Sequence, residues 1–127
     1  MQIRIDGGLP FVTAIIGHHS HTLKLNRVLV DTGSAGTIFN ADRVADLGLV
    51  LEPHDTIFRI RGVGGAEFVF AKIVDSLAVG KLALPNFQIE VGAMDYGFKL
   101  DGIIGMDFLH QTEAILDLGR LEIRSSR

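Results

Sequence analysis

The sequence contains no cysteine. That absence excludes thiolate metal sites, a cysteine nucleophile and a disulfide framework together, and leaves the redox compartment open. Nor is there a surplus of positive charge. Twelve Lys and Arg against fifteen Asp and Glu leave a net charge of -3, which gives a polyphosphate little to bind, so no nucleic-acid partner is expected. Long apolar runs are missing too: stretches such as 14–16 and 28–30 fall far short of the roughly 20 residues that a spanning helix needs, and no membrane segment is expected. The opening Met1-Gln2-Ile3-Arg4-Ile5-Asp6 lacks the basic start and apolar core of a secretory signal. It favours a cytoplasmic protein, or else a mature fragment. There is no linker, low-complexity segment or solenoid-length repeat.

What is present is a chain of 127 residues, 47% hydrophobic and 21% charged, which suits one folded domain spanning residues 1–127. Apolar and polar residues alternate with period two in Thr22-Leu23-Lys24-Leu25, Phe58-Arg59-Ile60-Arg61 and Leu121-Glu122-Ile123-Arg124, the pattern of half-buried strands. Fifteen glycines spread between such runs predict tight turns and an all-β sheet or barrel. Gly80-Lys81 and Gly119-Arg120 each place Gly first in a two-residue turn, which predicts type II′ hairpins. Pro85 donates no amide hydrogen, so its strand should lie at an edge or carry a bulge there. Two short helices are predicted: one capped by Asn40 and stopped at Gly48, and one from Met106 to Gln111.

The sharpest local feature is Val28-Leu29-Val30-Asp31-Thr32-Gly33-Ser34, an apolar strand that delivers an acid into a turn of small hydroxylated residues. A carboxylate at the end of a buried strand is costly unless hydrogen bonds compensate it, and Thr32, Ser34 and the amides around Gly33 can supply them. Taken alone, an Asp before Thr-Gly most often caps a turn. Two later segments change the reading. Residues 58–70 form two alternating runs hinged on Gly62, Gly64 and Gly65, hence a long hairpin, and Asp101-Gly102-Ile103-Ile104-Gly105-Met106 joins a buried strand to a helix.

In this order and at these separations the three segments resemble the retropepsin-like aspartic proteases, the single-domain relatives of pepsin, over most of the chain from about Phe11 onward. The resemblance implies a closed, barrel-like acid-protease fold with a hairpin flap. It identifies Asp31 as the catalytic acid, Thr32, Gly33 and Ser34 as the active-site loop, and Gly62, Val63, Gly64 and Gly65 as the flap over a peptide substrate. Thr32 would brace two such loops against each other, Gly33 accept substrate backbone, and Ser34 hydrogen-bond the outer carboxylate oxygen. The chain departs from retroviral members in carrying Ala35 and Met106 where an Asp and an Arg commonly pair. It also has no tyrosine in the flap. The terminal strands, Gln2 to Asp6 and Arg120 to Ser125, are expected to pair across a twofold axis as the family's do.

Hydrolysing an amide with an unactivated water needs a base and an acid in the same encounter, which one carboxyl group cannot provide. Two carboxylates about 3 Å apart share a proton and titrate as a pair. With a single Asp-Thr-Gly per chain, the second acid must come from a second copy, so a homodimer is expected, with Asp31 facing Asp31 and no covalent intermediate. No cofactor and no metal are expected. The rival reading is a catalytically silent dimeric peptide-binding or scaffold module with the same fold, possibly part of a longer polyprotein.

Other candidates carry less. His18, His19 and His21 read as a solvated hairpin tip, since no third metal ligand is apparent. His54 and His110 stand alone, and Gly33-Ser34-Ala35-Gly36 lacks the spacing of a serine nucleophile elbow. Glu67 stands where a nucleotide-binding glycine motif needs its last glycine. Asp101 reads as a turn residue and Asp107 as a helix-start acid. Tyr96 and Phe98 fit either a substrate pocket or core packing.

Overall fold

The computed structural model describes residues 1–62 and 65–127, and for Arg61, Gly62 and Gly65 the backbone alone. The alternating runs form the strands β1 (Arg4–Asp6), β2 (Leu9–His18), β3 (His21–Val30), β4 (Ile38–Asn40), β5 (Ile57–Gly62), β6 (Gly65–Val79), β7 (Leu82–Gly92) and β8 (Gly102–Ile104). They make one sheet in the order β1-β2-β3-β8-β4-β7-β6-β5, and β2 also pairs with β6, which closes the sheet on itself. The barrel reading therefore holds, and β1 and β5 remain as edges. A separate two-stranded sheet is formed by β9 (Ala114–Asp117) and β10 (Glu122–Ser125).

The two predicted helices are α1 (Ala41–Val44), followed by a single 3-10 turn, and α2 (Met106–Gln111). Asn40 caps α1 by accepting from the Asp42 amide at 2.9 Å, and Gly48 ends the segment at φ 82. At Val79↔Leu82 the hairpin has a positive φ at Gly80 and not at Lys81, as a II′ turn requires. The second expected II′ turn is a longer loop instead, because Asp117 pairs with Glu122. The Asp117 carboxylate accepts from the Arg120 amide at 3.0 Å and stabilises a wider turn. His19 and Ser20 form the β2–β3 tip, both with positive φ. Pro85 lies where β7 pairs with β6 alone, since β4 joins β7 only at Glu90–Gly92.

Strand alternation divides the interior into two clusters. Val28 and Val30 of β3 enter the main core with Val12, Ile16, Phe39, Ile104 and Phe108. Leu29 and Ile103 turn the other way, into a second cluster with Phe11, Ile38, Ile60, Val69, Met94 and Leu100. The terminal segments, expected to pair between copies, pair within the chain: Gln2 faces Glu122, the Ile3 amide donates to the Leu121 carbonyl at 2.8 Å, and Ile3 and Ile123 are buried. Among the described residues no helix is long and apolar enough to cross a membrane.

Candidate active site

Strands β3 and β8 run parallel, with Val28, Leu29 and Val30 beside Gly102, Ile103 and Ile104. One further hydrogen bond, from the Asp31 amide to the Ile104 carbonyl at 3.0 Å, extends the ladder to the acid. The alternation that turns Leu29 toward the second cluster brings Asp31 out on the same side, partly exposed, with Thr32 and Gly33 exposed behind it. The chain then turns sharply. The Gly33 amide donates to Asp31 Oδ1 at 2.9 Å and the Ser34 amide to the Asp31 carbonyl at 3.2 Å, a turn that the carboxylate itself helps to close. Asp31 Oδ2 has no partner among the described residues.

The loop is fastened from behind by α2. Amides in the first turn of a helix have no partner within it, and here Met106 and Asp107 donate theirs to the carbonyls of Ser34 at 2.8 Å and Ala35 at 3.2 Å. Thr37, 1% exposed, completes the joint. Its hydroxyl accepts from the Gly105 amide at 3.0 Å and donates to Asp107 Oδ1 at 2.7 Å, and its own amide donates to Asp107 Oδ2 at 3.2 Å. Gly105 is required by proximity, because a Cβ there would collide with the Gly36 carbonyl. Asp107 is thus more than a helix-start acid: through Thr37 it grips the far end of the loop that follows Asp31.

Ser34 behaves differently from the expectation. Its hydroxyl donates to the Gly36 carbonyl at 2.8 Å instead of to the Asp31 carboxylate, as a loop that folds back on itself allows. Asp101, expected to be a turn residue, is 6% exposed and holds Arg43 Nε at 3.2 Å and the Arg27 amide at 3.1 Å. Partners so distant in the chain leave no local signal in sequence.

Thr32, Gly33 and Ser34 stand in one loop with Asp31. Of the residues expected to form a flap, Gly62 and Gly65 form the last described pair of the β5–β6 hairpin, and Val63 and Gly64 lie outside the described residues. Ile60 and Val69 from the two arms pack into the second cluster with Leu29 and Ile103, so the hairpin flanks the side on which Asp31 emerges. Two carboxylates given no role in the sequence reading, Glu67 and Glu90, stand nearby. Glu67 accepts from the Met94 amide at 3.2 Å and from the Tyr96 hydroxyl. Glu90 occupies the space beside Gly36, where a Cβ would come within 2.8 Å of its Oε1. Burial first, then the charges of Asp107 and Glu67, push the Glu90 carboxyl above its ordinary value. Among the described residues, no group of His, Asp or Glu is arranged to hold a metal ion.

Residues 12–108 match the sequence profile of a family described as aspartyl protease. The chain belongs to the aspartyl protease family. A crystal structure of a retropepsin-like aspartic protease from Rickettsia conorii superposes with a TM-score of 0.68 at 20% identity, covering 98% of this chain and 97% of that one. At that identity the likeness speaks to the fold, which is retropepsin-like. No curated protein matches the sequence. In this fold β3 leads into Asp31, the β5–β6 hairpin flanks that side, and Ile103-Ile104-Gly105 precedes α2.

Proposed function

We propose that the protein is an aspartic endopeptidase that works as a homodimer, with one Asp31 from each copy sharing a proton and activating a water for attack on a peptide carbonyl. The observation that carries this reading is the state of Asp31 itself. In a chain with one Asp-Thr-Gly, its carboxylate sits at the end of a buried strand with one oxygen held by the Gly33 amide and the other without a partner among the described residues. A second carboxyl placed about 3 Å away, with a water between, completes an acid–base pair that one chain lacks. Thr32, exposed at the turn, brings the two loops together, and Gly33 leaves room for substrate backbone. The β5–β6 hairpin closes over an extended peptide through Gly62, Val63, Gly64 and Gly65, which adds the peptide as a strand.

The test is Asp31→Asn assayed against a mixed peptide library alongside the unaltered protein. The expected result is loss of cleavage by a factor of about 10³ or more with unchanged melting temperature, since the substitution removes the acid–base function and keeps the shape. Cleavage retained in full would end the assignment. A protein that binds peptides, dimerises and cleaves none at concentrations well above its dimer dissociation constant would support the scaffold reading instead.

A further inference from the structure

The outer part of the β5–β6 hairpin is a two-stranded ribbon. β6 pairs with β7 only from Phe70 onward, so its residues 65–69 have β5 alone as neighbour. A ribbon of this kind is marginal by itself and takes its position from whatever it rests on. Ile60 and Val69 give it apolar support on the second cluster. Glu67, opposite Ile60 on the same inner face, gives it a polar tie to the body of the molecule. Both of its carboxylate oxygens are engaged by one loop, residues 93–101: Oε2 by the Met94 amide at 3.2 Å and Oε1 by the hydroxyl of Tyr96. That loop joins β7 to β8 and so leads directly into the strand beside Asp31.

The loop is shaped for the contact. Met94 is held at φ 56, a left-handed conformation that a bulky residue adopts only where its surroundings enforce it. Its side chain is buried in the second cluster while its amide is turned to Glu67. The Tyr96 amide then donates to the Met94 carbonyl at 3.1 Å, a tight reversal that brings the phenol back to the same carboxylate.

We propose that Glu67 and Tyr96 are positioning residues, a latch that fixes the ribbon against the 93–101 loop and thereby sets the width of the cleft in which a peptide lies beside Asp31. The kinetic part rests on the peptidase reading above; the latch itself does not. An extended peptide must slide beneath the ribbon, and a ribbon held at one height meets it without first being ordered. A broken latch therefore weakens binding more than it slows chemistry.

The chain has one tyrosine and no tryptophan, so phenolate absorbance belongs to Tyr96 alone. Burial, the hydrogen bond to Glu67 and the charges of Glu67 and Glu90 together push the phenol far above its ordinary value. The experiment records phenolate absorbance of the free protein about one pH unit above the ordinary tyrosine value of about 10, with Glu67→Gln beside it. The expected result is more phenolate in Glu67→Gln than in the unaltered protein, since the burial stays and the carboxylate's charge is removed; identical ionisation overturns the latch. Tyr96→Phe, which removes one hydroxyl and keeps the ring, is followed by hydrogen exchange. Amides of residues 65–69 should exchange about tenfold faster, the equivalent of one hydrogen bond to a charged group. Unchanged exchange overturns the proposal as well. In peptide cleavage Tyr96→Phe should raise KM by about tenfold and leave kcat within about twofold; an equal loss in both would contradict a positioning role. If the unaltered protein cleaves nothing, the peptidase reading fails while absorbance and exchange still decide the latch.

Discussion

Asp31 and Asp101 stand at opposite ends of the same parallel pair of strands, and their surroundings are opposites too. Asp101, just before β8, is 6% exposed, with one oxygen on Arg43 and the other on the Arg27 amide. Asp31, just after β3, is partly exposed, with one oxygen on the Gly33 amide and the other without a partner among the described residues. An acid that holds a structure together has its lone pairs saturated, because an unsatisfied buried charge destabilises the fold. An acid that is to handle a proton must keep a lone pair free and stay within reach of a reactant. The contrast sets apart two aspartates at the two ends of one strand pair by what their oxygens hold.

The largest effect expected of a substitution designed to break this contrast is at the saturated end. Asp101→Ala leaves the Arg27 amide and Arg43 without their acceptor and should lower stability by about 2–3 kcal/mol in denaturant unfolding, discounted because Arg43 is half exposed. Asp31→Asn, at the open end, should change stability little; equal losses at the two sites would erase the distinction. Next is the joint behind Asp31. Thr37→Val removes the acceptor of the Gly105 amide and the donor to Asp107 and should cost about 1–2 kcal/mol, with kcat lowered more than KM, and Thr37→Ser should restore both. Failure of Ser to rescue would mean that the methyl, not the hydroxyl, matters.

The smallest effect concerns Glu90. Its folded-state carboxyl titrates above its unfolded value because of burial and the Asp107 and Glu67 charges. The folded protein therefore holds this proton more tightly than the unfolded chain does. The contribution favours folding below the unfolded value and is lost as pH rises through the folded one. Glu90→Gln should accordingly raise the melting temperature at neutral pH and leave it unchanged below the ordinary glutamate range. A fall at neutral pH would show that the Glu90 charge makes a favourable contact.

Much of this was legible in the sequence wherever the signal was local. Period-two alternation gave the long strands, Asn40 and Gly48 bounded the first helix, and the apolar run before Asp31 gave the strand that leads into it. The gaps are the long-range partnerships. Nothing near Asp107 in sequence indicates Thr37, seventy residues away, and nothing near Glu67 indicates Tyr96, because closure of the barrel alone brings those segments together. The terminal strands misled for a related reason. Alternation shows that an edge needs a partner without saying whose, and here the chain supplies it.

The central claim, that two Asp31 carboxyls from two copies make one site, is tested most directly by subunit mixing. Unaltered protein and Asp31→Asn are unfolded together, refolded in varying ratio at constant total concentration, and assayed for peptide cleavage. A shared site requires activity to fall as the square of the unaltered fraction, since a mixed dimer holds one acid. A linear fall, in which each copy works alone, would contradict the account.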